Sequence, residues 1–182
     1  PLIVLENGVA FPSRIAPVDP VVGLQATALQ YYAFLVSPDS VNARFETFGA
    51  DGDVNLYVRR GAPIATPYDY HFAGLTPGIA DELIQVANTN TPVWLEPGWW
   101  FLTVENADVA DVNYSIRATE FPAKIVPLVN DVPVTNTVAA GGASDYYSFP
   151  VSPNALSARF EVFGMTDDVQ LLLRPGLPVP TF

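Results

Sequence analysis

The feature that most constrains the fold of this chain is an internal repeat. Residues 31–63 return as residues 146–178 without a gap. The strongest match joins residues 51–61, DGDVNLYVRRG, to residues 166–176, TDDVQLLLRPG. A match of this length indicates a module that the chain uses more than once. Modules used in series usually hold, bind or space other molecules, so the repeat favours that class of function.

The spacing of prolines, glycines and apolar residues predicts the fold class. Eighteen prolines and twelve glycines among 182 residues divide the chain into short segments, which favours strands over long helices. Apolar residues alternate with period two, and we find no sustained helical stripe. We therefore predict an all-β fold, an antiparallel β-sandwich of jelly-roll-like form in tandem repeat. The side chains predicted to face the core are Val54, Leu56, Val58, Ile84, Val86, Trp100, Leu102, Val104, Tyr114, Ile116 and Ala118.

The repeat also sets the predicted domain boundaries. Residues 5–11, LENGVAF, match residues 128–134, LVNDVPV, and the first copy carries extra residues after Phe11. Those residues are rich in proline, and we expect them to form a surface loop, where insertions cost little. We predict one complete sandwich over residues 1–121 and the first half of a second over residues 122–182.

Half a sandwich leaves its apolar face open. The second copy lacks counterparts of the strands around Ile84, Trp100 and Ile116, so its inward side chains would lose their cover. We expect either that the parent chain continues or that strands of a neighbouring molecule complete the second copy, and we favour continuation. The side chains that would lose cover are Phe160, Phe163, Val169 and Leu171.

Composition excludes several classes of partner. Nineteen acidic residues against eight basic ones give a net charge of −11, which repels phosphate backbones and argues against nucleic acid. The same charge suits divalent cations, or simply solubility. No apolar run is long enough to insert into a membrane. The chain contains no cysteine, so neither a disulfide nor a thiolate metal site is available.

The order of motifs resembles the bacterial pre-peptidase C-terminal domain family. The motifs are LENGV, YYAFLV, GDVNLYVRRGAP, YDY, DELIQV and PGWWFLTV. This family of secreted β-sandwich modules includes the collagen-binding domains of clostridial collagenases. The resemblance implies a non-catalytic module of an exported enzyme or large surface protein, located outside the cell or on its surface. Asn55 and Gln170 stand where the family strand usually has a second acid, and the cysteine pair of many members is missing.

The resemblance also implies calcium binding, as in some family members, and we assign it to the first copy. Calcium takes about six to eight oxygen ligands, which carboxylates supply well. The alternative to calcium binding is that these residues only form turns and ordinary loops. The candidate metal ligands are Asp51, Asp53, Asn55, Asp69, Asp81 and Glu82.

Trp94, Trp99 and Phe101 are the candidate ligand-binding residues. Alternation places Trp100 in the core and Trp99 and Phe101 on the opposite face of the strand. Such a face is either a stacking platform for a sugar or protein ligand or a packing face for a neighbouring module, and packing is the interpretation we prefer.

The sequence does not favour catalysis. His71 is the only histidine, and no cysteine or GxSxG nucleophile motif accompanies it. We predict a non-catalytic structural or adhesive repeat module of a larger exported bacterial protein, whose partners are neighbouring repeats or copies of itself. The alternative is an accessory module of a secreted hydrolase that binds a polysaccharide or a fibrous protein.

Overall fold

The computed structural model describes residues 1–18, 28–141 and 143–180. Over these ranges the chain forms eleven strands. It separates into two compact units, Pro1–Pro122 and Ala123–Phe182. No helix in the described part of the chain is long and apolar enough to cross a membrane.

The first unit consists of two sheets. Five strands pair in the order β1-β3-β8-β5-β6, and four pair in the order β2-β9-β4-β7. The strands are β1 (Leu2–Val4), β2 (Phe11–Ile15), β3 (Leu29–Val36), β4 (Ser40–Phe48), β5 (Val54–Arg60), β6 (Phe72–Gly74), β7 (Glu82–Ala87), β8 (Gly98–Asn106) and β9 (Val112–Pro122).

The two sheets pack face to face around one core, which confirms the predicted all-β sandwich. Every side chain that the alternation assigned to the core is buried. Trp100 of β8 stacks on Phe45 of β4 with their ring centroids 5.7 Å apart, so this contact joins the two sheets. The strand pairs are antiparallel apart from β1–β3, which is parallel with Leu2 opposite Tyr31.

A hydrogen bond also crosses the core between the sheets. The hydroxyl oxygens of Tyr32 on β3 and Tyr114 on β9 lie 2.7 Å apart. Burial raises the pKa of both phenols, so both stay neutral and one donates to the other. The pair therefore satisfies two polar groups that would otherwise be costly to bury.

The prediction of a surface loop directly after Phe11 was wrong for the first residues of that stretch. Residues 12–15 belong to β2, which pairs with β9 only. Pro12 is tolerated because β2 is an edge strand, where one side of the backbone has no partner to lose. Residues 19–27 of the same stretch lie outside the described residues.

In the first unit, strands β3, β4 and β5 are hydrogen-bonded mainly to strands that come later in the chain. Strand β3 pairs with β1 and β8, β4 pairs with β7 and β9, and β5 pairs with β6 and β8. No two of β3, β4 and β5 pair with each other. Most of their hydrogen-bonding partners therefore come from residues 82–122.

The second unit repeats one strand pair of the first. Strand β10 (Ile125–Pro127) pairs in parallel with β11 (Tyr146–Ser148), with Ile125 opposite Tyr146. These residues align with Leu2 and Tyr31 in the repeat, so the pairing has the same register as β1–β3. The interpretation of this unit as the first half of a second sandwich stays a prediction.

Further local geometry recurs between the two units. The backbone amide of Leu128 donates to the Ser148 carbonyl at 2.8 Å, as Leu5 donates to Ala33 at 2.9 Å. Phe149 and Phe160 meet edge to face with centroids 5.9 Å apart. Their counterparts Phe34 and Phe45 meet edge to face at 6.1 Å. The described residues of the second unit contain no strand besides β10 and β11.

Candidate functional site

The candidate binding surface lies at the start of β8. Gly98 has a φ of 117°, a conformation that favours glycine, and it turns the chain from Pro97 into the strand. Alternation then sends Trp100 into the core, where its side chain is fully buried. Trp99 points to the outer face of the five-stranded sheet and is 46% exposed. This confirms the predicted division of the two tryptophans.

Leu35 is a member of this surface that the sequence reasoning missed. It lies opposite Trp99 in the β3–β8 pair and is 53% exposed. Alternation along β3 places it on the outer face, since Phe34 and Val36 are buried. That signal was present in the sequence. The register that brings Leu35 to Trp99 was not, because it depends on pairing between distant strands.

An open depression lies beside Trp99. Its volume is about 510 Å³. Phe101 contributes a half-buried ring to it. The depression therefore combines apolar and aromatic surface with one cationic side chain. Its lining residues are Arg60, Gly61, Ala62, Pro97, Trp99 and Phe101.

Glu96 orders the polar edge of the surface. Its carboxylate forms an ion pair with Arg60 and accepts a 2.6 Å hydrogen bond from the Trp94 indole nitrogen. Trp94 is 49% exposed but does not line the depression. Of the three predicted ligand-binding residues, the structure thus brings Trp99 and Phe101 together. It connects Trp94 to the depression through Glu96 and Arg60.

Three of the six candidate metal ligands are bonded to separate partners. Asp51 accepts two 2.7 Å hydrogen bonds from Asn113, and these bonds lower the pKa of its carboxyl. The Asn55 side chain donates to Glu105 at 3.0 Å. Asp69 forms an ion pair with Arg59. The spacing of Asp51, Asp53 and Asn55 does not place them on one strand face, because β5 begins only at Val54.

The other three candidates are Asp53, Asp81 and Glu82. Glu82 faces inward on β7, is 2% exposed, and accepts a 2.6 Å hydrogen bond from the Thr76 amide. Burial raises the pKa of its carboxyl, and the charge of Asp53 adds to that effect. Asp53 has one buried carboxylate oxygen, Oδ1, without a hydrogen-bond partner. Asp81 accepts from the Gly49 amide at 3.1 Å.

The calcium prediction depends on whether the candidate ligands come together. In the described ranges no three His, Cys, Asp or Glu side chains come together as a metal-binding group. A buried carboxylate oxygen without a partner, as at Asp53, is nevertheless a group that a cation would satisfy. Calcium binding stays a prediction.

His71 is used as a structural acceptor. Its Nδ1 accepts a 3.1 Å hydrogen bond from the backbone amide of Arg60. Burial, and after it the positive charge of Arg59, lowers the pKa of the imidazole. The ring is therefore neutral at neutral pH, with one nitrogen engaged by the backbone.

Among known proteins, the chain is similar only to solved structures. No protein-family model matches the sequence, and no curated protein matches it. Several solved structures do match, and the two described here are low in identity. The pre-peptidase C-terminal domain of a collagenase from Bacillus anthracis is 12% identical with a TM-score of 0.46, and the match covers 65% of this chain and 95% of that chain. PliG of Aeromonas hydrophila, a periplasmic inhibitor of g-type lysozyme, is 10% identical with a TM-score of 0.38, and the match covers 66% of this chain and 96% of that chain.

The first of these structures belongs to the family that the motifs resemble. Membership of the present chain in that family stays a prediction. Neither likeness bears on what the chain binds.

The buried carboxyl of Glu82 predicts a pH-dependent change in stability. A raised pKa means that the folded protein holds this proton more tightly than the unfolded chain. Ionisation therefore costs stability as the pH rises above the ordinary carboxyl range. We expect Glu82→Gln to have a higher melting temperature than the native chain at pH 7, and we expect this difference to shrink towards pH 4. Calorimetry at both pH values measures it.

Asp81→Asn is the matched control for Glu82→Gln, because Asp81 is the adjacent carboxylate and is exposed. Its melting temperature should follow that of the native chain at both pH values. A Glu82→Gln variant that is less stable at pH 7 than at pH 4, relative to the native chain, would contradict the account of Glu82.

Calcium binding has its own test. Calcium that binds only the folded protein raises the melting temperature by mass action, and a chelator reverses the rise. We expect Asp53→Ala to abolish the rise. We expect Asp168→Ala, at the aligned position of the second copy, to keep it. A native melting temperature that does not change across a calcium titration would remove calcium from the first copy.

Proposed function

We propose that this chain is a non-catalytic β-sandwich module of a larger exported bacterial protein. It acts as a structural or adhesive unit outside the cell or on its surface, and its partners are neighbouring repeats or copies of itself. The internal repeat supports a module used in series. The engagement of His71 by the backbone of Arg60 supports a non-catalytic role.

The proposal rests on exposed apolar side chains at one end of the outer face of the five-stranded sheet, whose middle is covered by other residues. The segment after β5 crosses the middle of the outer face, where Ala65 is fully buried and its carbonyl accepts a 2.6 Å hydrogen bond from Thr103. Tyr70 packs on Tyr57 there, with ring centroids 5.3 Å apart. This cover does not reach Leu35 and Trp99, which stay about half exposed.

An exposed apolar patch of this kind marks a contact surface. The apolar patch is defined here by Leu35, Trp99 and Phe101. Aromatic side chains dominate the energy of such contacts when a partner covers them. We therefore assign the contact with a neighbouring module to this patch.

A second candidate function is favoured by the depression next to Trp99. An indole ring beside an ordered charged pair, Arg60 and Glu96, is suited to a sugar ring that stacks on one face and hydrogen-bonds at its edge. The same surface suits an extended fibrous protein. In this function the chain is an accessory module of a secreted hydrolase, and it binds a polysaccharide or a fibrous protein.

Substitution of Trp99 tests both candidates. Removing a central aromatic side chain from an interface typically costs at least about 2 kcal/mol, which is roughly a thirtyfold loss of affinity. Self-association is measured by analytical ultracentrifugation, and polymer binding by pull-down with insoluble polysaccharides and with collagen. Concentration-dependent self-association that is lost in Trp99→Ala is the result expected for the structural module.

Trp94→Ala is the matched control, because Trp94 is equally exposed and does not line the depression. It should retain the self-association of the native chain. Specific polymer binding by the native chain that is lost in Trp99→Ala, without self-association, would favour the accessory module. If the native chain shows no self-association and no polymer binding, both candidate functions are contradicted.

A further inference from the structure

The second unit exposes apolar side chains whose counterparts form the core of the first. In the first unit these positions belong to β3, β4 and β5 and are at most 2% exposed. In the second unit the matched side chains are 39% to 63% exposed. They are Tyr147, Val151, Val162, Val169, Leu171 and Leu173, which align with Tyr32, Val36, Thr47, Val54, Leu56 and Val58.

Strand pairing explains which parts of the second unit are ordered as strands. Among the strand pairs of the first unit, β1–β3 is the pair for which the repeat supplies both members. That pair forms, in the same register, as β10–β11. The partners of β3, β4 and β5 within residues 82–122 have no aligned counterpart in the second unit. In its described residues the segments that match β4 and β5 are not strands.

Two charged residues of the second unit, Arg159 and Glu161, also lack the contacts that their counterparts make in the first unit. In the first unit Glu46 accepts a 2.6 Å hydrogen bond from Arg117 of β9. Arg44 lies over the ring of Phe121 of the same strand, 5.8 Å from its centroid. The aligned residues Arg159 and Glu161 form an exposed ion pair with each other instead. An occupant of this surface would therefore offer a cation to Glu161 and an aromatic ring to Arg159.

The Tyr147 hydroxyl also differs from its counterpart in the partner that it has. Its counterpart Tyr32 bonds to Tyr114 of β9 across the core. Tyr147 instead accepts a 3.1 Å hydrogen bond from the exposed side chain of Asn136. Apolar, ionic and polar groups of the second unit thus each lack a partner that β8 or β9 provides in the first.

We propose that residues 146–175 form an acceptor surface for a three-stranded segment built like residues 82–122, with an apolar inward face, a cation for Glu161 and an aromatic ring for Arg159. The segment would place a β8-like strand between the counterparts of β3 and β5. It would place β7-like and β9-like strands on either side of the counterpart of β4. The proposal is independent of what the apolar patch around Trp99 contacts.

An extended chain tests this directly. Residues 68–122 are appended to residue 182, which aligns with residue 67 in the repeat. Hydrogen exchange followed by mass spectrometry reports on peptides from residues 146–175, whose sequence occurs once in the extended chain. We expect their exchange to slow by at least about 100-fold relative to the 182-residue chain, as in a segment that opens only with its whole domain.

The matched control carries Leu102→Asp and Val104→Asp in the appended segment only. These changes place charges on the inward face of the added β8 and should abolish the slowing. Exchange over residues 29–60 is an internal reference and should be equal in all three chains. This reference separates failed completion from general misfolding.

The other outcomes contradict the proposal. If the extended chain shows no slowing while residues 29–60 stay protected, the surface does not accept this segment. If the 182-residue chain already protects residues 146–175 as a monomer, the second unit is complete without an occupant. If it protects them only as a dimer, the occupant is a second copy of the chain.

Discussion

The pairing of β8 with two strands at once is the interaction on which the first unit depends. Gly98–Asn106 is hydrogen-bonded to β3 along one edge and to β5 along the other. Its inward side chains Trp100, Leu102 and Val104 are fully buried against the opposite sheet. Burying one large apolar side chain contributes about 1.5–3 kcal/mol, so this single strand supplies both hydrogen bonds and much of the core. Strands β3 and β5 are not hydrogen-bonded to each other, so their own pairing cannot replace it.

The same strand also creates the candidate binding surface. The alternation that buries Trp100 exposes Trp99 on the outer face, next to Leu35. One face of β8 thus belongs to the core, and the opposite face belongs to the candidate binding surface. A change that shifted the register of β8 by one residue would exchange them.

Alternation in the sequence predicted this division correctly, because period two is a local property of a strand. Pairing is not local, and Leu35 was missed for that reason. Residues 12–15 were wrongly assigned to a loop, because proline signals a break in most strands but not in an edge strand such as β2.

The candidate metal ligands also show why residue type alone does not define a site. Asp51, Asn55 and Asp69 each have a side-chain partner from another part of the fold, which the sequence could not reveal. Glu82 is buried beside the charge of Asp53, which a pattern of acids in loops did not predict. Glu82 is buried because it occupies an inward-facing position of β7, as Ile84 and Val86 do.

We infer that the repeated strands are stable only when strands like those of residues 82–122 pair with them. The most direct measurement is amide hydrogen exchange in the 182-residue chain at aligned positions, such as Phe45 and Phe160 or Leu56 and Leu171. The two members of each pair are the same residue, so their intrinsic exchange rates are similar. The account predicts strong protection at Phe45 and Leu56 and exchange close to the unprotected rate at Phe160 and Leu171. Equal protection at the aligned positions would contradict it.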